Sequence, residues 1–171
     1  MTRIGLGYDI HRLVSGRKLV LGGENIAYEK GLLGHSDADV LVHAACDALL
    51  GAAGMGDIGE HFPDSDDQYR DVYSIDLLTT VYRRVSERGL ALVNLDATVF
   101  AQAPKLSTYK QRMVARMAAS MSVDPSKVNI KATTTEGLGV IGKGDGIAAM
   151  CVVLLQSTTP AAGDEPIERD F

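Results

Sequence analysis

An aspartate and a histidine stand two residues apart in the stretch GYDIHR, near the start of the chain. Apolar residues alternate around them as in a β-strand, so Asp9 and His11 point to the same side. A third residue of metal-binding type, His43, stands in an alanine- and leucine-rich stretch with a helical pattern. Zinc accepts two histidines and one carboxylate when its fourth position is left open for a substrate. The spacing allows a catalytic zinc site, with a surface Asp–His pair and a buried structural histidine as the alternative interpretations.

Two aspartates flank His43 four residues away on either side, on the same face of the predicted helix. Either Asp39 or Asp47 could hold the second ring nitrogen of His43, as carboxylates near metal-bound histidines commonly do. Ordinary surface charge on the helix explains the two aspartates equally well.

Two other segments have residue types that suit phosphate. His35 and Ser36 precede the same helix, whose free N–H groups and partial positive charge favour an anion; the alternative is a loop with a helix cap. The threonine run 133–135 leads into Glu136, where hydroxyls suit phosphate oxygens and the carboxylate suits Mg²⁺. For the threonines alone, β-propensity followed by a turn is the stronger explanation.

The composition argues against some classes of function. The 171 residues carry a formal net charge of −5, whereas nucleic acids and anionic membranes require a basic surface. No apolar run reaches the roughly 18 residues of a membrane span. Cys46 and Cys151 stand in separate apolar runs, which favours buried thiols over a disulfide or a metal pair. No leader pattern precedes the first strand, so a bacterial cytoplasmic protein is expected rather than a mature plastid one.

The elements that must position these residues alternate between strands and helices. Residues 2–13 are predicted as a strand, followed by two short strands around a Gly-Gly turn. The order predicts one α+β domain over 1–156, with helices on one face of a mixed sheet, and a disordered tail over 157–171. The remaining predictions are a helix at 35–54 capped by Ser36 or Asp37 and ended by Gly51 or Gly54, a polar loop at 57–71, a helix at 74–89 capped by Ser74, a strand at 90–104, a helix at 107–123, a strand at 128–136, a glycine-rich loop at 137–146 and a strand at 147–156.

The chain resembles the 2-C-methyl-D-erythritol 2,4-cyclodiphosphate synthase family of the non-mevalonate isoprenoid pathway over roughly residues 2–156. The stretches that carry the resemblance are GYDIHR, GHSDADVLVHAACDALLGAAGMGDIGEHFPDSD, DATVFAQAPKLS and NIKATTTEGLG, in that order. The resemblance implies a homotrimer with active sites between neighbouring subunits. It implies a phosphorus–oxygen lyase that converts 4-diphosphocytidyl-2-C-methyl-D-erythritol 2-phosphate to the cyclic diphosphate, by in-line attack of the 2-phosphate on the β-phosphorus with release of CMP.

The resemblance also implies roles for single residues. Asp9, His11 and His43 match the ligands of one zinc per chain, and Glu136 matches a ligand of the Mg²⁺ or Mn²⁺ that bridges the substrate diphosphate. His35 and Thr134 match residues that stabilise the transition state. The implied substrate-binding residues are Asp9, His11, His35 and Ser36; Asp57, Ile58, Gly59, Phe62, Pro63, Asp64, Ser65 and Asp66 in the erythritol-phosphate pocket; Ala101, Gln102, Ala103, Pro104, Lys105, Leu106, Ser107, Thr133, Thr134, Thr135 and Glu136 on the cytidine-diphosphate side, from the adjacent subunit; and Val140 and Lys143.

Two positions depart from the commonest family pattern. Lys143 stands where many members have arginine, and Val140 stands where phenylalanine is frequent. Lysine keeps the positive charge but loses the two-pronged hydrogen bonding of arginine. The departures bear on the family's occasional binding of an isoprenoid diphosphate along the trimer axis. Two other functions stay open from the residues: a zinc-dependent phosphoesterase, which would release free phosphate, and a non-enzymatic trimer that binds CMP or zinc.

Overall fold

The computed structural model of the protein describes residues 1–63 and 72–158. Its largest sheet is mixed and has five strands. Its strand order is β4-β1-β7-β5-β6, with β5 and β6 parallel and the other neighbours antiparallel. The predicted α+β fold with a mixed sheet is confirmed. The elements are β1 (Thr2–Ser15), β2 (Leu19–Leu21), β3 (Glu24–Ile26), β4 (Lys30–Leu32), α1 (Val40–Ala53), α2 (Ile58–His61), α3 (Ser74–Glu87), β5 (Leu90–Phe100), α4 (Lys110–Ser120), β6 (Val128–Thr133), α5 (Gly139–Gly142) and β7 (Gly146–Ser157).

Glycines on one face of β1 bring α1 into direct contact with the sheet. A Cβ added at Gly5 would lie 2.0 Å from the carbonyl oxygen of Ala48, and one at Gly7 would lie 2.0 Å from that of Ala44. Only glycine therefore fits at these two positions, since the atoms in the way belong to the helix backbone. The contact fixes the height of α1 above the strand.

The opposite face of β1 is apolar and exposed. Ile4 is 72% exposed, Leu6 61%, Tyr8 49% and Ile10 42%, and Met150 of the neighbouring strand β7 is 37% exposed. A continuous row of large apolar side chains on a protein surface is typical of an interaction site. The two sides of the sheet thus differ sharply, with α1 on one and an uncovered apolar face on the other.

The helix α1 begins later than predicted. Its N-cap is Asp39, and neither Ser36 nor Asp37 takes that position. Asp39 is fully buried, and its carboxylate accepts hydrogen bonds from the backbone N–H groups of Gly22 and Gly23 as well as from its own helix. The residue therefore joins the turn between β2 and β3 to the helix, a long-range contact that local capping patterns cannot show.

Other differences concern the ends of elements. α1 is closed by Gly54 in the left-handed conformation, one of the two predicted ends. α3 begins at Ser74, but its N-cap is Tyr73, and the Ser74 hydroxyl donates to Asp37 instead of capping the helix. The strand predicted to reach residue 104 ends at Phe100. The two predicted loops contain the one-turn helices α2 and α5.

Two composition-based expectations can be compared with the structure. Cys46 and Cys151 are free and buried, as predicted, and burial raises the pKa of both thiols. Within residues 1–63 and 72–158, no helix has the length and apolar content needed to cross a membrane. Residues 159–171, most of the predicted tail, lie outside the described residues.

Glu24 links the hairpin of β2 and β3 to α4 through two arginines. Its carboxylate accepts hydrogen bonds from Arg112 at 3.1 Å and from Arg116, and the Arg116 contact holds the pKa of Glu24 below its ordinary value. Both arginine side chains are more than half exposed, so water screens the pairs. We expect Glu24→Gln to lower the free energy of unfolding by about 1–2 kcal/mol at neutral pH.

The pH dependence of that loss follows from the lowered pKa of Glu24. The stabilisation is present above the ordinary carboxyl pKa and disappears as pH falls through the lowered one. In urea unfolding, the difference between the wild type and E24Q should therefore be larger at pH 7 than at pH 3. Glu87→Gln removes an exposed ion pair with Arg83 and should change stability by less than about 0.5 kcal/mol. A loss in E24Q that is equal at both pH values would contradict the ion-pair explanation.

Candidate active site

Three side chains of metal-binding type meet where α1 crosses β1. The Oδ2 atom of Asp9 lies 2.9 Å from Nε2 of His11 and 3.0 Å from Nδ1 of His43, and the two nitrogens are 3.3 Å apart. In a tetrahedral zinc site with bonds of about 2.0–2.1 Å, neighbouring donor atoms lie about 3.3 Å apart. The three atoms thus form one face of such a tetrahedron, slightly contracted. Within the described part of the chain, this is the group of His, Cys, Asp and Glu residues that could hold an ion.

An ion would bind at the point shared by the three ligand atoms. The two imidazoles direct different ring nitrogens to this shared point. Nδ1 of His11 lies 2.8 Å from the carbonyl oxygen of Leu33 and donates its proton there, so Nε2 is the nitrogen that faces Asp9. In His43 the arrangement is reversed. Its Nε2 lies 3.0 Å from the hydroxyl of Ser74 and 3.3 Å from that of Ser36, while Nδ1 faces the shared point. An external hydrogen bond on the second nitrogen is typical of metal-binding histidines.

Neither of the aspartates considered for His43 holds its ring. Asp39 is engaged as the cap of α1, and Asp47 accepts a hydrogen bond from the backbone N–H of Ile58 at 2.8 Å. The observed partner, Ser74, is 31 residues away in sequence. The sequence pattern predicts Ser74 as a helix cap, and no local spacing connects it to His43.

Charge pairing stabilises the ionised form of Asp9. Burial by itself raises the pKa of this carboxyl, but hydrogen bonds from His11 and His43 outweigh it and bring the pKa well below its ordinary value. For His11, burial lowers the pKa, and the contact with Asp9 raises it by more. The carboxylate and two imidazoles therefore share protons that a divalent cation would displace on binding.

The segment before α1 adjoins this centre. Ser36 is buried and contacts the ring of His43, so one of the predicted phosphate residues borders the three ligands. The guanidinium of Arg17 donates to the backbone carbonyl of Ser36 at 2.7 Å, a contact that the sequence did not indicate. His35 is exposed beside it. The segment thus offers a hydroxyl and an imidazole close to the candidate metal centre.

A second cleft lies where the parallel strands β5 and β6 end. Its volume is about 260 Å³, and Thr133 on one side is tied to Ala101 on the other by a backbone hydrogen bond of 3.0 Å. Beyond the cleft, the hydroxyl of Thr134 donates to the carboxylate of Glu136 at 2.5 Å. The lining residues that were predicted are Ala101, Gln102, Pro104, Lys105, Leu106, Ser107, Thr133 and Thr134; Lys110 and Ala132 were not predicted, and Ala103, Thr135 and Glu136 are absent from the lining.

The metal ligands and the cleft lie at the same end of the sheet but on different strands. His11 pairs with Ile147 of β7, and the next residue of that strand, Ala148, pairs with Phe100 of β5. Phe100 in turn pairs with Thr133 of β6. Three spacings of about 4.8 Å separate β1 from β6, or about 14 Å in all. One chain therefore carries the metal-ligand triangle and the cleft as two separate places at one sheet edge.

The segment predicted for the erythritol phosphate is described only in part. Asp57 caps α2 by accepting from the N–H of Glu60 at 3.0 Å, so Ile58 and Gly59 form its first turn. Phe62 is buried in the core with the guanidinium of Arg84 5.3 Å from its ring centre, another contact without a local sequence signal. Pro63 ends the described part, and Asp64, Ser65 and Asp66 lie outside the described residues.

The two positions that depart from the family pattern lie on and next to α5. Val140 lines a groove of about 480 Å³ together with Ile10 and His11. Lys143 is the exposed C-cap residue of the same short helix. Val140 thus lies on the groove beside β1, near one of the candidate ligands.

Known proteins match the chain along nearly its whole length. The profile of the YgbB family matches residues 2–156. The 2-C-methyl-D-erythritol 2,4-cyclodiphosphate synthase of Desulfosudis oleivorans is 61% identical over 153 residues, which are 90% of this chain and 91% of that protein. The enzyme of the same name from Pelotomaculum thermopropionicum is 59% identical over 160 residues, 94% of this chain and 99% of that protein.

Solved structures agree with these matches. IspF of Plasmodium falciparum, in a CDP complex, is 32% identical with a TM-score of 0.82, over 92% of this chain and 97% of that one. The bifunctional IspDF from Campylobacter jejuni is 44% identical with a TM-score of 0.89, and the match covers 92% of this chain but only 42% of that longer protein.

Proposed function

Because the chain belongs to the YgbB family and is an enzyme of the lyase class, we propose that it converts 4-diphosphocytidyl-2-C-methyl-D-erythritol 2-phosphate to 2-C-methyl-D-erythritol 2,4-cyclodiphosphate and CMP. The observation that carries the proposal is the triangle formed by Asp9, His11 and His43, at the same sheet edge as a cleft of about 260 Å³. A similar structure was solved as a CDP complex, which supports a cytidine nucleotide as the ligand.

The proposed reaction closes a ring without water. An oxygen of the 2-phosphate attacks the β-phosphorus in line, the bond from that phosphorus to the oxygen shared with the α-phosphate breaks, and CMP leaves with that oxygen. Such phosphoryl transfer requires little covalent help from a protein, and its rate depends on positioning the phosphates and offsetting their charge. Asp9, His11 and His43 would hold zinc. The carboxylate of Glu136, exposed beside the Thr134 hydroxyl, is a ligand type that suits Mg²⁺. Bound there, the two ions would polarise phosphate oxygens and offset the charge on the diphosphate.

The remaining roles belong to side chains that touch phosphates or the nucleotide. His35 and Ser36 would hold the 2-phosphate next to the metal ligands, since both lie in the segment that borders His43. Thr134 would donate its hydroxyl to the diphosphate in place of its present acceptor, Glu136. The ammonium of Lys105 in the cleft would favour the negatively charged nucleotide.

We propose a homotrimer in which the metal-ligand triangle of one chain and the cleft of a neighbouring chain together form each active site. About 14 Å separates the strand of the metal ligands from the strand that leads to Glu136 within a chain. The apolar face around Leu6 and Tyr8 is typical of an interaction surface, and it extends along β1 to Ile10, which lies between Asp9 and His11 in sequence but on the opposite side of the sheet. Packing this face against neighbouring copies would bring the cleft of one subunit to the triangle of the next.

A charge on the apolar face should separate the subunits. We expect Leu6→Asp to yield a monomer and to lose nearly all activity, because a carboxylate would be buried without a partner in the assembled face. Light scattering should give a mass of about three 18.2 kDa chains for the wild type and one for L6D. Thr79→Asp, on an exposed position of α3, should leave mass and activity unchanged. A fully active monomer at assay concentration would contradict the shared site.

The proposed reaction is tested by its products. Incubation of the purified protein with the CDP substrate and Mg²⁺ should produce CMP and the cyclic diphosphate in equal amounts, which ³¹P NMR can follow. Release of free phosphate would instead identify a phosphoesterase, and an unchanged substrate in the presence of both metals would favour a binding protein. Either of these results would overturn the proposal.

A further inference from the structure

Ser74 connects the candidate metal ligand His43 to the carboxylate of Asp37. We propose that Ser74 and Asp37 are positioning residues, which orient the ring of His43 so that Nδ1 presents its lone pair to a bound metal ion. The inference rests on the metal site of the proposed function and adds to it two residues on different elements, one at the start of α3 and one in the segment before α1.

The direction of the hydrogen bonds follows from the chemistry of the three groups. Asp37 accepts from both the hydroxyl and the backbone N–H of Ser74, the latter at 3.2 Å. Since a carboxylate only accepts, the hydroxyl proton of Ser74 points to Asp37 and its lone pairs are free to face His43. The Nε2 atom of His43, 3.0 Å away, must then carry a proton and donate it. This leaves Nδ1 as the nitrogen that can bind a metal.

Burial limits the hydrogen-bond partners that are available to Ser74 and His43. Ser74 is fully buried, and the side chain of His43 is only 14% exposed. The hydroxyl consequently has no access to bulk water as an alternative partner. In this environment a carboxylate behind the hydroxyl strengthens the bond that the hydroxyl accepts, and electron density at the opposite ring nitrogen rises. A carboxylate that is bonded directly to a metal-binding histidine raises the basicity of the ligating nitrogen in the same way.

A second hydroxyl lies near the same nitrogen but is less suited to the role. Ser36 Oγ is 3.3 Å from Nε2 of His43, and it already accepts a hydrogen bond from the N–H of Ala38 at 3.0 Å. Ser74 is closer, and a carboxylate fixes its proton. The geometry therefore favours Ser74 as the residue that sets the ring orientation.

The test compares Ser74→Ala with Ser86→Ala, the same chemical change at a serine of α3 whose hydroxyl donates to the carbonyl oxygen of Tyr82 in its own helix. Zinc affinity is measured by competition with a chromophoric chelator, and the Nε2–H signal of His43 by NMR of the zinc-loaded, ¹⁵N-histidine-labelled protein. We expect S74A to bind zinc about ten- to a hundredfold more weakly and to lose the signal through exchange with water. S86A should match the wild type in both measurements, and the melting temperature of both metal-free variants should stay close to that of the wild type.

The outcomes separate this inference from the metal site itself. Wild-type affinity together with a retained Nε2–H signal in S74A overturns the inference alone, as does a loss of affinity in Ser36→Ala but not in S74A. A wild-type protein that binds no zinc overturns the metal site and the inference together. Should S74A not fold, Asp37→Asn carries the test. It keeps an oxygen that can accept from Ser74 but removes the charge, so a severalfold weaker zinc affinity is expected, and an unchanged affinity overturns the inference.

Discussion

Glu136→Gln should reduce kcat by about a hundredfold or more, while KM for the CDP substrate and zinc content change little. The carboxylate of Glu136 is exposed at the end of the threonine run, and its partner is the hydroxyl of Thr134 at 2.5 Å. Glutamine keeps the shape and can still accept that hydrogen bond, but it cannot offset the charge of Mg²⁺. If the ion held there acts mainly as charge develops on departing CMP, the loss appears in the chemical step rather than in ground-state binding.

A structural role for Glu136 gives a different result. The residue has a positive φ of 51° and lies in a tight turn before Gly137, so it could serve only to shape the loop. In that case E136Q would lower the melting temperature and keep its turnover per folded molecule. Measuring kcat, zinc content and melting temperature on one preparation distinguishes the two roles. Glu87→Gln, an exposed glutamate of α3, provides the charge-matched control and should leave kcat unchanged.

His43→Ala should lose most of its bound zinc and at least about a thousandfold in kcat/KM, because two protein ligands remain of the three that an open zinc site needs. The wild type should hold about one zinc per chain. The melting temperature of the metal-free variant should change less than after a core substitution, since the ring lies at the edge of the core and is 14% exposed.

Elemental analysis and thermal unfolding of the purified proteins measure both quantities. His61→Ala is the matched control for zinc content, because the ring of His61 bonds to Met55 and Arg84 away from the triangle. It should keep its zinc. Undiminished zinc in H43A would remove His43 from the site and leave the ion with a different set of ligands.

Local geometry accounts for the parts of the site that could be predicted from the sequence. Asp9 and His11 share a face because neighbours two apart in a strand always do, and this requires no knowledge of the rest of the fold. That His43 joins them depends on how α1 packs on β1, which no spacing in the sequence reveals. The resemblance to a known family provided that connection.

The contacts that were missed all join distant parts of the chain. Ser74 reaches His43 across 31 residues, and Arg17 reaches Ser36 across 19. The spacing of Asp39 allows it as a partner of His43, but its buried carboxylate holds the turn between β2 and β3. Each of these side chains has an ordinary local role in the sequence, as a cap or a surface charge. Its actual partner is set by the packing of elements, which propensity and periodicity do not describe.

The close packing of α1 on Gly5 and Gly7 also bears on the radius of the ion that Asp9, His11 and His43 can bind. Because the helix backbone already touches the strand there, the backbones that carry Asp9 and His43 stay close together, and small side-chain adjustments are enough to widen the 3.0 Å between the ligand atoms to the spacing of a zinc site. Calcium, with bonds of 2.3–2.6 Å and six to eight oxygen ligands, needs wider spacing and harder donors than these imidazoles. Zinc and similarly small transition-metal ions match both the spacing and the nitrogens. Glycine at these two positions of the strand thus favours a small ion between the three ligands.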